Sequence, residues 1–323
     1  MSVIKEIDEK LSKQFWEFMG EIIRDTNQTK KVLYHYTSLD RFMGMIENNN
    51  LWMSKGNFLN DSSELIYIEK IANDTIKKLE DRIIEKYGNS ESEALLRIDF
   101  LKQLRVAIEK FIHDITIDDF EVYVLSLTQN QDSLTLWYHY SKGDGYNIGF
   151  STDALIDKMN AVKKRIEHEF NLFYGKVIYD NDQQEKMLIE SLIRSFDCIY
   201  QFKDRFRFEE LAENLHHHFF SVIVSFSIFF KHESFRNEEE YRIALTRRRE
   251  RKHETEVLFR ARNGIIIPYI QIYFAEKLPV RHVTIGPKNN IGIAKNGVEY
   301  YLRNKGYNLD EITVSKSVAT LRY

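Results

Sequence analysis

Apolar residues recur at three- and four-residue spacing over residues 3–24, the pattern of an amphipathic helix, and KVLYHYT (31–37) then takes on the length and aromatic content of a strand. Thr37 or Ser38 can N-cap a helix over 39–48, which NNN (48–50) ends. LWMSKGNFLNDSSE (51–64) reads as a loop with a brief strand, and helical spacing returns at 64–87 and 92–115 as two insertions. A strand at EVYVLSLT (121–128), a short helix at SLTLWYHYSKG (133–143) and a strand at YNIGFS (146–151) come next. They lead into a helix near 152–168, the strand FYGKVIY (173–179) and long helices over about 183–230. The last third returns to strands at EYRIAL (240–245), TEVLFR (255–260), GIIIPYI (264–270) and HVTIGP (282–287), with a helix near 291–305 and a terminal strand. Strands are sparse early and dense late, so the sheet joins elements far apart in sequence. The order predicts an α+β fold with a mixed or antiparallel sheet.

The three prolines, Pro268, Pro279 and Pro287, all fall in this last part, and no Gly/Ser-rich linker interrupts the chain. That predicts a single domain over 1–323 with helical insertions near 64–115 and 183–230. An apolar fraction of 43% can fill a sizeable core at this length. Lys+Arg 46 against Asp+Glu 49 leaves a formal charge of -3, which implies no general field for polyanions but leaves local patches open. Cys198 is the only cysteine; an intrachain disulfide framework and a cysteine-rich zinc site are excluded, and a reducing compartment suits the chain. MSVIKEIDEKLSKQFW carries charges too closely spaced for a signal peptide, and the longest apolar run, FFSVIVSFSIFF (219–230), is too short to span a bilayer. A cytoplasmic protein without membrane insertion is expected.

Classical nucleotide motifs are missing. No G-x-x-x-x-G-K-[ST] loop occurs, and GDGYNIG (143–149) has glycines at the wrong spacing and enters a strand. The HHH tract (216–218) cannot converge on one metal ion from a helix, where successive side chains point about 100° apart. TRRRERKHE (246–254) reads as a hairpin tip that is either solvated or touches phosphate or nucleic acid. In KHESFRNEEEYRIAL (231–245) an acidic cluster runs into an apolar strand, where Glu238, Glu240 and Arg242 at alternate positions share one face. Such a row is either a strand end with a structural Arg–Glu pair or a site acting on a glycosidic bond, where a carboxylate stabilises an oxocarbenium-like transition state. Trp137, Tyr140 and Tyr146 in LWYHYSKGDGYNIGF (136–150) can supply the aromatic wall, and His35 the donor that positions the ligand.

YHYTS (34–38), LWMSKGNFLNDSSE (51–64), LWYHYSKGDGYNIGF (136–150) and FRNEEEYRI (235–243) resemble, in order and separation from about 31 to 287, the four blocks of a bacterial family of uncharacterised proteins that open with an H-Y-T-S strand. That layout is similar to ADP-ribosyltransferases of the diphtheria-toxin and poly-ADP-ribose class. The resemblance implies an ADP-ribosyltransferase-like split sheet with NAD as substrate. His35 would hold the adenosine ribose with Thr37 and the adjoining Tyr36, Tyr140 and Tyr146 would sandwich nicotinamide, and Glu240 would be the catalytic glutamate. Glu238 would match the first acid of an E-x-E pair that positions the acceptor, although that pair normally accompanies an arginine on the first strand, which leaves the acceptor open. Trp137, Asn60, Asp61 and Arg242 belong to the family blocks and are expected in or behind the pocket wall.

The physical account runs beside the resemblance. Nicotinamide leaves positive charge on the ribose, so a carboxylate on the 2′-hydroxyl gains interaction as that charge develops. The function expected is NAD-dependent ADP-ribosyl transfer to a protein or nucleic acid, fitting a toxin or antiviral effector, or NAD glycohydrolysis where water is the acceptor. A non-catalytic nucleotide or ADP-ribose sensor is the alternative from another class. Phosphodiester cleavage by His35, Glu238 and Glu240 is a third, without metal-ligand spacing to support it.

Overall fold

A computed structural model of the chain describes residues 3–22, 31–59, 65–88, 92–141, 144–249, 254–262, 264–288 and 291–319. The first elements are α1 (Val3–Ile22), β1 (Val32–Thr37), α2 (Leu39–Asn48), β2 (Asn50–Lys55), α3 (Tyr67–Tyr87), α4 (Ser92–Thr116) and β3 (Phe120–Thr128). The middle of the chain forms α5 (Leu134–Ser141), β4 (Tyr146–Ser151), α6 (Thr152–Ile166), β5 (Asn171–Lys176), α7 (Asn181–Tyr200) and α8 (Phe208–Phe229). The last third forms β6 (Glu240–Arg248), β7 (Leu258–Arg262), β8 (Ile265–Tyr273), β9 (Val280–Ile285), α9 (Ile291–Asn304) and β10 (Thr313–Lys316). The class is α+β with a mixed sheet, and the chain divides into two compact units.

The first unit comprises Met1–Asp25, Leu59–Glu121 and Val177–Phe235, so it gathers α1, α3, α4, α7 and α8. Both helical insertions expected from the sequence lie in it. The second of them is two helices: α7 starts where the Asp180 carboxylate accepts from the Gln183 N–H at 2.8 Å, and α8 follows after a turn. The apolar run 219–230 forms the end of α8, whose buried residues cover most of its circumference, as a central helix requires. Phe100 of α4 meets Phe196 and Phe219 edge-on at 5.4 and 4.8 Å, an arrangement that the ring quadrupoles favour. His218 is buried here, 2.9 Å from the Ser195 hydroxyl and edge-on to Phe15, so one member of the HHH tract is a core residue. Among the described residues no group of His, Cys, Asp and Glu is placed to hold a metal ion, and no helix is long and apolar enough to cross a membrane.

The second unit comprises Thr26–Phe58, Val122–Lys176 and Arg236–Tyr323 and carries the sheet. Its order is β10-β9-β4-β1-β3-β2-β8-β7, with β6 pairing both β3 and β5. The pairs β1–β3, β1–β4, β2–β3, β2–β8, β4–β9, β5–β6 and β7–β8 are antiparallel, and β9 with β10 is parallel. Strand β3 is where the ladder divides: β1 pairs with it at Tyr34–Thr128, while β2 pairs at Ser54–Val124 and Lys55–Tyr123. The main core packs Leu33, Phe42, Tyr146, Ile148, Tyr241, Ile243 and Val283 together. A smaller cluster of Tyr36, Leu136 and Trp137 lies under α5.

Three local features take their form from tertiary pairing. The brief strand expected within 51–64 is β2, where Asn50–Ser54 pair in full register with Tyr269–Tyr273 of β8. The strand placed at 255–260 falls at β7, whose register with β8 runs from Leu258–Tyr269 to Arg262–Ile265 and closes through Gly264, at φ 78°. That left-handed conformation suits a residue without Cβ. The third concerns Glu238, which ends a short 3-10 helix (Glu233–Glu238) while Glu239 sits at φ 44° and β6 begins only at Glu240. The strand alternation therefore does not reach Glu238, and only Glu240 and Arg242 share a face as expected.

Arg247 of β6 is buried, forms an ion pair with Glu169, and stacks between Tyr123 and Phe170 at 5.5 and 5.1 Å. Glu169 also accepts from the Thr255 backbone and hydroxyl, so a single carboxylate ties the end of α6 to β6 and the following loop. The basic run 246–254 is thus not uniformly solvated: its Arg247 is a core cation, and residues 250–253 lie outside the described residues. Replacing Glu169 with Ala removes the carboxylate paired with that buried guanidinium. Loss of about 3–5 kcal/mol of stability is expected, and urea denaturation followed by circular dichroism measures it; an unchanged midpoint would contradict this role for the pair.

Candidate functional site

One face of the β2-β8-β7 edge carries an unusual set of side chains. Register places Arg260 beside Ile267 and Arg262 beside Ile265, two residues apart on the same face of β7. Tyr269 opposes Leu258 and also Ser54, so Arg260, Tyr269 and Ser54 project to one side. The contacts agree: Arg260 Nη2 donates to Ser54 Oγ at 2.7 Å, and its guanidinium lies 5.5 Å over Tyr269 and 6.0 Å over Trp52. Trp52 and Tyr269 stack at 4.7 Å. Arg41, from the first turns of α2, approaches the same Trp52 ring at 6.0 Å. Arg262 lies 5.6 Å over Tyr140 and donates to the His139 carbonyl at 3.2 Å.

A cavity of about 660 Å³ opens beside this face, lined by Ser38 and Arg41, by residues 138–141 and Asp144, and by Ala261, Arg262 and Lys288. Tyr138 is 72% exposed, a flat apolar surface left uncovered at its rim. Ser38 is the N-cap of α2 and makes no side-chain capping bond, so the positive end of that helix dipole also faces the cavity. Close packing behind the lining requires Gly145. A Cβ there would lie 2.2 Å from the Thr37 carbonyl oxygen and 2.5 Å from Ser141 Cβ, so a side chain would push α5 off β1.

His35 sits in the middle of β1, half-buried, where the ladder between β1 and β3 opens. Its Nδ1 is 3.0 Å from the Ser126 carbonyl. A carbonyl only accepts, so Nδ1 carries the proton and Nε2 keeps its lone pair. Burial lowers the ring's pKa to about 4; the Ser126 hydrogen bond opposes this, and the charges of Arg41, Arg260 and Arg262 reinforce it. His35 is consequently a neutral hydrogen-bond acceptor at physiological pH rather than a cation, in the same electrostatic neighbourhood as the three arginines.

The acidic residues separate into two environments. Both Glu240 oxygens accept from Arg242, at 3.0 Å from Nε and 2.9 Å from Nη2, and both side chains are buried. That is the structural Arg–Glu pair weighed from the sequence. Glu238 is half-buried instead, and its Oε1 accepts from the Tyr140 hydroxyl at 3.1 Å. Through Tyr140 it is joined to the cavity wall. Its backbone is fixed as well, because Thr128 Oγ1 donates to the Glu238 carbonyl at 2.7 Å and the Gln129 N–H to that of Glu239 at 3.1 Å.

The remaining expected site residues disperse. Tyr146 is in the main core, stacked on Phe42 at 5.3 Å, whereas Tyr140 packs against the small cluster under α5. Tyr36 points to the face of β1 opposite His35, packs edge-on against Trp137 at 4.7 Å, and has its hydroxyl engaged by the Asn130 carbonyl and the Ser133 N–H. Burial raises its pKa. Trp137 is fully buried and donates to Asp132 at 2.6 Å, so it supports α5 from beneath. Thr37 shares the His35 face and is buried, with a hydroxyl that finds no protein partner. Asn60 and Asp61 lie outside the described residues. Sequence reading missed Arg41, Arg260, Arg262 and Tyr138; the alternation in LFRAR was the available signal for two of them, and nothing local signals Arg41.

Together these features define an α+β protein with an arginine-rich, tyrosine-lined pocket. Residues 136–243, from α5 into β6, match the family described as Protein of unknown function (DUF2971), a description that states no activity. No curated protein and no solved structure matches the chain.

The neutral state of His35 has a consequence for stability. Its ring takes up a proton near 6.5 when unfolded but only near 4 when folded, so the unfolded state binds more protons between those values. Stability therefore falls as pH drops from 6.5 to 4 and levels off below. The loss from this residue is at most about 3 kcal/mol, less for whatever solvent the half-exposed ring retains. His218, also held near 4 by burial, acts in the same direction, so the comparison must be between wild type and His35→Gln. A shallower dependence in the variant, and an NMR midpoint near 4 for the wild-type ring, are expected; a midpoint near 6.5 would refute the assignment.

Proposed function

We propose that the protein cleaves the bond between nicotinamide and ribose in NAD and passes ADP-ribose to a protein or nucleic acid, or to water. The observation that carries this reading is the pairing of Glu238 with Tyr140 at the wall of the cavity, together with a neutral His35 that feels the charges of Arg41 and Arg262 from the same wall. Tyr138 and Tyr140 offer aromatic surface for a flat ring. The Nε2 lone pair of His35 suits a ribose hydroxyl donor. In the reaction the C1′–N bond breaks with its electron pair leaving on nicotinamide, and the acceptor's oxygen or nitrogen bonds C1′ and gives up its proton. A carboxylate accepting from the 2′-hydroxyl gains interaction as positive charge builds on the ribose.

The resemblance gives this role to Glu240 and acceptor positioning to Glu238, but Glu238 is the better placed of the two for it. Glu240 is buried with both oxygens on Arg242, which suits holding the start of β6. The division of the ladder at β3, between β1 and β2, accords with the split sheet that the resemblance implies. The acceptor is not specified by any of these residues.

Release of nicotinamide from NAD by the purified protein, with and without cell lysate as a source of acceptors, tests the reading. Glu238→Gln is expected to lower kcat by about 100-fold, the scale of losing one transition-state charge partner, with little change in KM. Glu240→Gln instead weakens the fold by removing the charge that accepts from two nitrogens of buried Arg242, so its melting temperature drops. NAD binding without release in either condition would make the protein a sensor, and neither binding nor release would remove the proposal.

A further inference from the structure

Charge is distributed unevenly in the second unit. Its buried arginines have carboxylates, Arg242 with Glu240 and Arg247 with Glu169. Arg41, Arg260 and Arg262 differ: among the described residues none of them forms an ion pair, although each is half-buried. Burial and the charge of Arg262 lower the pKa of Arg41, and burial and the charges of Arg41 and Arg262 bring that of Arg260 to about 10. The Arg260 Nε–H is buried without a hydrogen-bond partner. Gathering three cations in this way opposes folding, and an anion that binds there removes the repulsion and supplies the missing acceptors.

We propose that Arg41, Arg260 and Arg262 form a binding site for a diphosphate group. Stacking on aromatic rings orients each guanidinium; Ser54 and the His139 carbonyl take one Nη2 donor each of Arg260 and Arg262, and Arg260 Nε–H is among the donors left for a ligand, since planar guanidinium forks recognise phosphate oxygens. The anchors differ, Trp52 and Tyr269 for Arg260, Trp52 for Arg41 and Tyr140 for Arg262, so the positive charge is spread over more than one phosphate. Arg41 and Arg262 both line the cavity, where Lys288 and the uncapped start of α2 add to the field. Asp144 is the one carboxylate among the lining residues, and it is exposed. Equating this group with the pyrophosphate of NAD rests on the preceding reading; the diphosphate site does not.

Isothermal titration with inorganic pyrophosphate, at low and at physiological salt, is the test. Wild-type protein is expected to show saturable binding that weakens as salt rises. Arg260→Met and Arg41→Met should each lower affinity at least tenfold, and Arg260→Lys should not restore it because an ammonium lacks the planar fork. Arg303→Met, at an exposed position of α9, should bind as wild type. Melting temperature serves as the folding control: removing one of three mutually repelling cations should leave it unchanged or raised. Absence of saturable binding to wild type, or equal affinity in all variants, overturns the proposal, and equal affinity for inorganic phosphate overturns the diphosphate assignment. Pyrophosphate binding without nicotinamide release would uphold this site and remove the ribosyl-transfer reading.

Discussion

Strand β3 serves more neighbours than one strand can serve along its whole length, and the pocket follows from that constraint. β1, β2 and β6 all pair with it, and β1 and β2 do so at different points along it. Where β1 leaves the ladder, backbone groups lose their strand partners, and buried backbone polar groups must find others. The imidazole of His35 fills that need at Ser126. The same bond fixes the tautomer, so a requirement of the sheet determines what the ring can offer a ligand. At the end of β3, Thr128 and Gln129 hold the backbone of Glu238 and Glu239, which keeps Glu239 in a left-handed conformation that few non-glycine residues adopt. Divergence of strands thus produces both a neutral acceptor and a positioned acid.

Electrostatics in this unit divides along the same line. Where β6 runs through the interior, each charged side chain is matched, and Arg247 is enclosed by two aromatic rings as well as by Glu169. At the β2-β8-β7 edge the guanidiniums are supported by aromatic faces but not neutralised. Aromatic support orients a cation without using its hydrogen-bond donors, whereas a carboxylate would consume them. Stability alone favours the first arrangement. The second recurs at Arg41, Arg260 and Arg262, two of which line the cavity, and it is on this contrast that the proposed anion site rests.

The helical unit is held by different means. Its centre is α8, surrounded by aromatic side chains in edge-on contact, with His218 and Ser195 as a buried polar pair inside it. Neutrality of His218 follows from burial and serves packing. Two histidines with pKa values near 4 therefore occupy unlike settings, and the difference between them lies in their surroundings rather than in the shift itself.

Local pattern by itself determined most of the elements, the α+β class and the shared face of Glu240 and Arg242, since these depend on helical and strand periods that a short window contains; it left open whether those two side chains pair. It also singled out His35 and the tyrosine-bearing segment before β4. Which of those residues meet was decided only by tertiary structure. Tyr146 entered the core because its strand position faces Phe42, Trp137 went beneath α5, and Glu238 left the strand row because Glu239 turns the backbone one residue before β6. The arginine group was invisible for the same reason: Arg41 belongs to a helix near the start of the chain and Arg260 and Arg262 to a hairpin near its end, and only the pairing of β2 with β8 brings together Trp52, which Arg41 and Arg260 share, and Tyr269. Register between distant strands is a property of the assembled sheet, which no local spacing encodes.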